Sequence, residues 1–158
     1  MRNKLSKIFV TLAVLSLAVL SLAPGADAQR RRGPRARGYT KADVDAVIRR
    51  VENRSDEFVR MYDSALDRSR LDGTRREDNL NEQAKRLENT LDDLRREFDR
   101  KESYIETRPE VNRALGIAAD INKAMRKRRM GGATERQWSL LRAELNTLAN
   151  VYGLSGIR

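Results

Sequence analysis

The sequence predicts an all-α fold: an antiparallel up-down-up-down four-helix bundle with the first helical hairpin longer than the second. Three observations lead there. Apolar residues recur at alternating spacings of four and three in four separate stretches, as in helices that pack along a seam. No stretch alternates with period two between turn residues, so no strand is expected. The connections are short, which favours antiparallel neighbours. The alternative is an extended helical hairpin carrying a smaller helical pair.

The first helix is expected over about 41–69. Thr40 is a good N-cap, with Asp43 three residues on. Val44, Ile48, Val51, Ser55, Phe58, Tyr62 and Ala65 form its seam, and Val47, Val59 and Leu66 widen it into a bundle face. Asp72-Gly73 makes the turn. The second helix, about 75–106, opens on the capping box Thr74-Arg-Arg-Glu77. Its stripe is Leu80, Ala84, Leu87, Leu91, Leu94, Phe98, Lys101 and Ile105, with only Lys101 out of character.

Pro109 suits the first turn of a third helix over about 109–130. Val111, Leu115, Ala118, Ile121 and Met125 make its stripe, and Gly131-Gly132 stops it. The fourth helix, about 135–152, is expected to open on a second capping box, Thr134-Glu-Arg-Gln137. Trp138, Leu141, Leu145, Leu148 and Tyr152 are its stripe, and Gly153 with Leu154 reads as a left-handed end with its apolar contact. In a two-stranded register Leu66 pairs with Leu80 and Ile48 with Phe98, while Phe98 pairs with Ala118 across the second turn. The turn at Gly131 would then sit level with Lys85. The first hairpin would overhang the second by about 15 Å, at 1.5 Å per residue. Its tip, carrying Tyr62, Leu66, Leu80 and Ala84, is a candidate contact for a homo-oligomer.

The bundle is expected over 40–158. Ahead of it, Met1 to Ala28 has the three parts of a secretory signal. Arg2, Lys4 and Lys7 are positive, Ile8 to Ala23 is apolar, and Ala26-Asp27-Ala28 offers small residues before a cut at Gln29. The expected location is therefore periplasmic or secreted. An uncleaved membrane anchor is the alternative, because the arginines that follow resist translocation. Residues 29–39 hold five arginines and no apolar pattern, and are expected to be a disordered tail. The formal charge is +10. Losing three basic and one acidic residue with the signal leaves +8, and five of those positives lie in the tail.

The chain has no histidine and no cysteine. That removes the commonest general base, the serine triad, thiol catalysis, iron–sulfur clusters and most zinc, copper and haem sites. No glycine-rich phosphate loop is present. Asp72-Gly73 alone is too sparse for a calcium loop. Asp92, Asp93, Glu97, Asp99 and Glu102 alternate with Arg95, Arg96, Arg100 and Lys101, the pattern of a solvated charged face. No catalytic, cofactor or metal site is expected, and the chain reads as a non-enzyme.

Two basic clusters remain as candidate anion-binding residues. One is the tail: Arg30, Arg31, Arg32, Arg35 and Arg37. The other closes the third helix: Arg126, Lys127, Arg128 and Arg129, with Lys123 one turn earlier. Cations there also complement the helix dipole, and Glu82 and Glu88 are expected within pairing range. Arg68, Arg70, Arg75 and Arg76 fall at the same end of the bundle. The expected partner is an anionic polymer, a lipid headgroup or an anionic protein. Tyr39 is the only aromatic residue beside the tail, which argues against nucleic acid.

Thr134-Glu135-Arg136-Gln137 at a helix start resembles the threonine-x-x-glutamine element of small periplasmic chaperones of the Spy and CpxP kind. The match covers four residues. Ala133 stands where those proteins carry leucine, and there is no second copy. The resemblance implies an exported, basic, all-helical chaperone that cradles unfolded clients. That is the alternative to an interaction protein that holds an anion.

Overall fold

A computed structural model describes residues 38–158. The expected signal and the five tail arginines lie outside the described residues. Those described form four α-helices and one 3-10 turn, and no strand occurs among them. The helices are α1 (Lys41–Asp67), α2 (Arg75–Arg100), α3 (Arg108–Lys127) and α4 (Gly132–Val151). The 3-10 turn, Tyr104–Thr107, joins α2 to α3. They pack as a bundle: α1 lies against α2 and α4, and α3 lies against the same two helices. Among the described residues, no helix is long and apolar enough to cross a membrane.

Local chemistry accounts for most of the helix ends. The Thr40 hydroxyl accepts the Asp43 N–H at 3.1 Å, and the Asp43 carboxylate accepts the Thr40 N–H at 2.9 Å. The Thr74 hydroxyl likewise accepts the Glu77 N–H at 3.3 Å, but Glu77 reaches past Thr74 to the Gly73 N–H at 2.8 Å. Gly73, at φ +71°, turns its N–H toward that carboxylate. At the far end of α4, Gly153 has φ +62°, and the Leu154 N–H donates to the Ala149 carbonyl at 2.8 Å. This is the six-to-one bond of a Schellman end.

Three expectations need correction. The second helix does not continue to 106. It ends at Arg100, and Lys101 is extended at φ −90°, ψ 143°. Lys101 was the one unsuitable residue in the stripe, and ending the helix there keeps its ammonium out of the core. The chain then turns so that Tyr104 meets Tyr152 edge-on, with ring centroids 5.5 Å apart, and the Thr107 hydroxyl bonds the Tyr152 hydroxyl at 2.8 Å. Ile105, expected in the stripe, is 50% exposed.

The seven residues from Lys101 to Thr107 also change the register between α2 and α3. Leu80 shares a cleft with Ala124 instead of lying level with Arg136. Ala65, Arg68 and Ser69 share another with Arg129 to Thr134. The turn at Gly131 is thus level with the end of α1, and the expected overhang is absent. Tyr62, Leu66 and Ala84 are buried and Leu80 is half-buried, so this tip offers no apolar stripe.

Finally, Thr134 does not cap α4. The helix starts at Gly132, after Gly131 at φ +89°, with no side-chain cap. Thr134 stands one turn before Trp138 on the buried stripe, so it faces inward. Its hydroxyl lies 3.5 Å from the Met61 carbonyl, and Gln137 donates to Glu57 at 3.0 Å. Thr134 and Gln137, the first and last of the four residues that suggested a chaperone element, tie α4 to α1.

The core runs the length of the bundle. Phe58 stacks on Tyr62 and tilts against Trp138, both with centroids 5.1 Å apart. The Trp138 indole donates to Asn122 at 3.0 Å, and Asn122 donates in turn to the Arg158 carbonyl. Asn146 holds the main chain of Ile157 from both sides, accepting its N–H at 2.7 Å and donating to its carbonyl at 3.3 Å. The last residues are thereby strapped across α3 and α4, with the Ile157 side chain buried. Gly156 makes the approach possible, because a Cβ there would meet the Asn146 Oδ1 at 2.7 Å. Gly156→Ala should therefore dislodge Asn146 and cost about 1–2 kcal/mol, as two hydrogen bonds are lost or strained. Amide hydrogen exchange at Ile157 would report it. Unchanged protection there would contradict the strap.

Candidate anion-binding surface

The C-terminal end of α3 projects cations into three different grooves. Arg129 shares a cleft of about 370 Å³ with Arg68, Ser69 and the Gly131-Gly132 backbone. Lys123, Lys127 and Arg128 share one of about 270 Å³ with Arg76 and Gln83. Arg126 shares one of about 150 Å³ with Arg142, over Met125 and Trp138. The helix ends at Lys127, three residues short of the expected 130, and Arg128 is extended at φ −140°, ψ 137°. The turn of about 100° between Arg126 and Lys127 and the change of backbone direction at Arg128 together spread the four side chains. Arg70 and Arg75 lie exposed on the turn between α1 and α2.

The carboxylates expected to neutralise this run are engaged elsewhere. Glu82 pairs with Arg86 on its own helix at 3.3 Å. Glu88 lies among Asp56, Asp92, Lys85 and Arg60. Lys123 pairs with Asp120 at 2.9 Å. Arg68, Arg70, Arg75, Arg76, Arg126, Lys127, Arg128 and Arg129 make no ion pair with any carboxylate among the described residues. Arg128 is the least exposed of the α3 run and sits close to the core. Burial pushes the Tyr62 phenol up to about 12, and the positive field of Arg128 pulls the other way.

Further along α2, several charges pair with one another or with α1. Arg96 pairs with Asp93, and Arg100 with Glu97 at 2.9 Å. Arg95 reaches across to α1, meeting Asp45 at 2.5 Å and Glu52 at 3.1 Å, with its guanidinium 5.8 Å from the centre of the Phe98 ring. Hydrogen bonds from Arg49 and then Arg95 hold the Asp45 carboxyl below its ordinary value. The charge pattern read as a solvated face therefore also clamps α2 to α1.

Glu88 behaves in the opposite way. Burial, then Asp56 and Asp92, raises its carboxyl above the ordinary value. The folded state holds that proton more tightly than the unfolded chain does. Its contribution is thus fullest at low pH and is lost as pH rises through the raised value. Glu88→Gln should raise Tm by roughly 2 °C at pH 7 and leave it unchanged near pH 4, the effect being small because the group is partly solvated. Equal shifts at both pH values would contradict the assignment.

An acidic group was not legible in the sequence. Asp67, Asp72 and Glu77 bring carboxylate oxygens within 4.8 Å of one another at the α1–α2 turn. Two of the three come from helix ends, so no compact loop motif marks them. Oxygens of this kind suit hard cations, but calcium takes six to eight, and Glu77 already accepts the Gly73 N–H. These three charges temper the positive field on that side of the bundle end.

Compared with known proteins, the chain matches no family model, no curated protein and no solved structure.

Proposed function

We propose that this chain is an exported, non-enzymatic helical interaction protein that holds an anionic partner at the basic end of its bundle. The observation that carries the reading is the group of eight cations there without a carboxylate partner among the described residues. Like charges kept close repel one another, and an incoming anion relieves that repulsion while releasing its own counterions. Export is supported by the positive, apolar and small-residue segments of Met1 to Ala28, and the absence of enzymatic activity by the lack of histidine and cysteine.

An alternating, up-down-up-down order of the helices is part of the same reading. It is supported by contacts between Asp63 and Asn81 and between Glu52 and Arg95, positions that run in opposite senses along α1 and α2. Arg50 with Glu144 and Glu57 with Gln137 do the same for α1 and α4. The longer first hairpin is supported by helix lengths of 27 and 26 residues against 20 and 20.

No observation favours the chaperone reading. Tyr39, Ile105 and Leu140 are the large exposed hydrophobic residues among those described, and they belong to three different segments.

The test is the salt dependence of affinity for long-chain inorganic polyphosphate. Four or more neutralised charges imply a fall of roughly 100-fold between 50 and 200 mM salt. Affinity that does not change with salt would refute the reading.

A further inference from the structure

The three clefts bear on what kind of anion fits, an inference that rests on the reading above. Each cleft brings cations from two parts of the chain: Arg129 with Arg68, Lys127 and Arg128 with Arg76, Arg126 with Arg142. They open into different grooves around one bundle end, so a single small oxyanion can satisfy only one of them. Arginine dominates, and a guanidinium presents its donors as a fork that matches the paired oxygens of phosphate, sulfate or carboxylate. No large exposed hydrophobic residue lines any of the three. The larger apolar residues that do line them, Met130, Leu80, Met125 and Trp138, are buried or half-buried, a poor surface for acyl insertion or base stacking. Two carboxylates, Asp120 and Glu135, also line the second and third clefts, which lowers their hold on any one isolated anion.

We propose that this end takes one linear polyanion, a chain of repeating oxyanion groups, laid across all three clefts. Each cleft neutralises part of the polymer, and affinity comes from their sum. A flexible polyanion can bend around the bundle end, which a planar lipid surface cannot do.

The experiment uses the full chain with glutamine at the five tail arginines, so that only the bundle is counted. Three further variants each remove one pair: Arg68→Gln with Arg129→Gln, Arg76→Gln with Lys127→Gln, and Arg126→Gln with Arg142→Gln. The logarithm of the affinity for long-chain polyphosphate is followed against the logarithm of salt concentration. The parent slope should correspond to about five or more charges. Each pair variant should lose about two of them and roughly tenfold in affinity, with effects that add. Inorganic phosphate should bind at least 1000-fold more weakly than the polymer, because it can fill one cleft at a time.

If one pair variant removes the whole salt dependence while the others change nothing, the surface is a single site and the inference fails. It fails too if inorganic phosphate binds as tightly as the polymer. Tighter binding to vesicles of phosphatidylglycerol and phosphatidylcholine than to the polymer, at equal accessible charge, would assign the surface to membranes instead. In those cases anion binding itself still stands. Absence of polyphosphate binding at every salt concentration would overturn both readings.

Discussion

Replacing Arg76, Lys127 and Arg129 together by glutamate is expected to weaken polyphosphate binding by roughly 1000-fold at low salt. Three reversals change the local charge by six, and each oxyanion contact at this surface is electrostatic. The fold should survive. All three side chains are exposed, and none pairs with a carboxylate among the described residues, so surface substitutions here stay within about 0.5 kcal/mol each. Equal Tm values with lost binding would assign the effect to the surface. If the variant bound as well as the parent, the arginine tail alone would be sufficient and the bundle end would have no role.

The second large effect concerns Trp138. Its side chain is 4% exposed, packs against Phe58 and donates to Asn122, itself 4% exposed. Trp138→Ala leaves a cavity and removes the nearer of the two donors to the Asn122 amide oxygen at once. Large aromatic truncations of this kind cost about 3–5 kcal/mol, which in a domain of this size lowers Tm by about 10–20 °C. Trp138→Phe separates the two causes. It keeps most of the packing and removes only the N–H, leaving Asn122 with the Arg142 guanidinium at 3.5 Å, and should cost about 1–2 kcal/mol. Circular dichroism melts give both values. Equal losses in the two variants would mean that the hydrogen bond, not the ring, holds this part of the core.

How far the sequence specified this structure depends on the range of each interaction. Starts and stops that rest on contacts within four residues were legible: Thr40 with Asp43, Thr74 with Glu77, Gly153 with Leu154. The stripes were legible as well, because burial and the helical repeat leave the same pattern. The end of α2 was not. The four-three rhythm continues through Lys101 and Ile105, and periodicity alone does not register that a lysine would have to enter the core. The shortened helix then changes the register with α3, which is why the overhang at the first turn was expected and is absent. Thr134 shows a related ambiguity. Its neighbours satisfy a capping pattern and a buried stripe equally well, and the packing of α4 on α1 selects the second.

The candidate surface divides in the same way. A basic run closing α3 is visible in the sequence, and so is a second group near the first turn. That they meet in shared clefts depends on the packing of α3 against α2 and α4, and of the α3–α4 turn against the end of α1. That their expected partners Glu82 and Glu88 look elsewhere depends on rotations about helix axes that no local pattern encodes. Arg142, the acidic group at Asp67, Asp72 and Glu77, and the strap formed by Ile157 on Asn146 are all products of contacts between distant segments.

If this chain holds an anion at the bundle end formed by Arg68, Arg76 and Arg126 to Arg129, the polymer must perturb the backbone there. Backbone amide shifts of the isotopically labelled full chain, recorded during a polyphosphate titration, test it most directly. The largest changes should fall at 66–77 and 123–135 and shrink together as salt is added. Changes confined to the tail at 29–39, or spread evenly over the middle of the four helices, would contradict it.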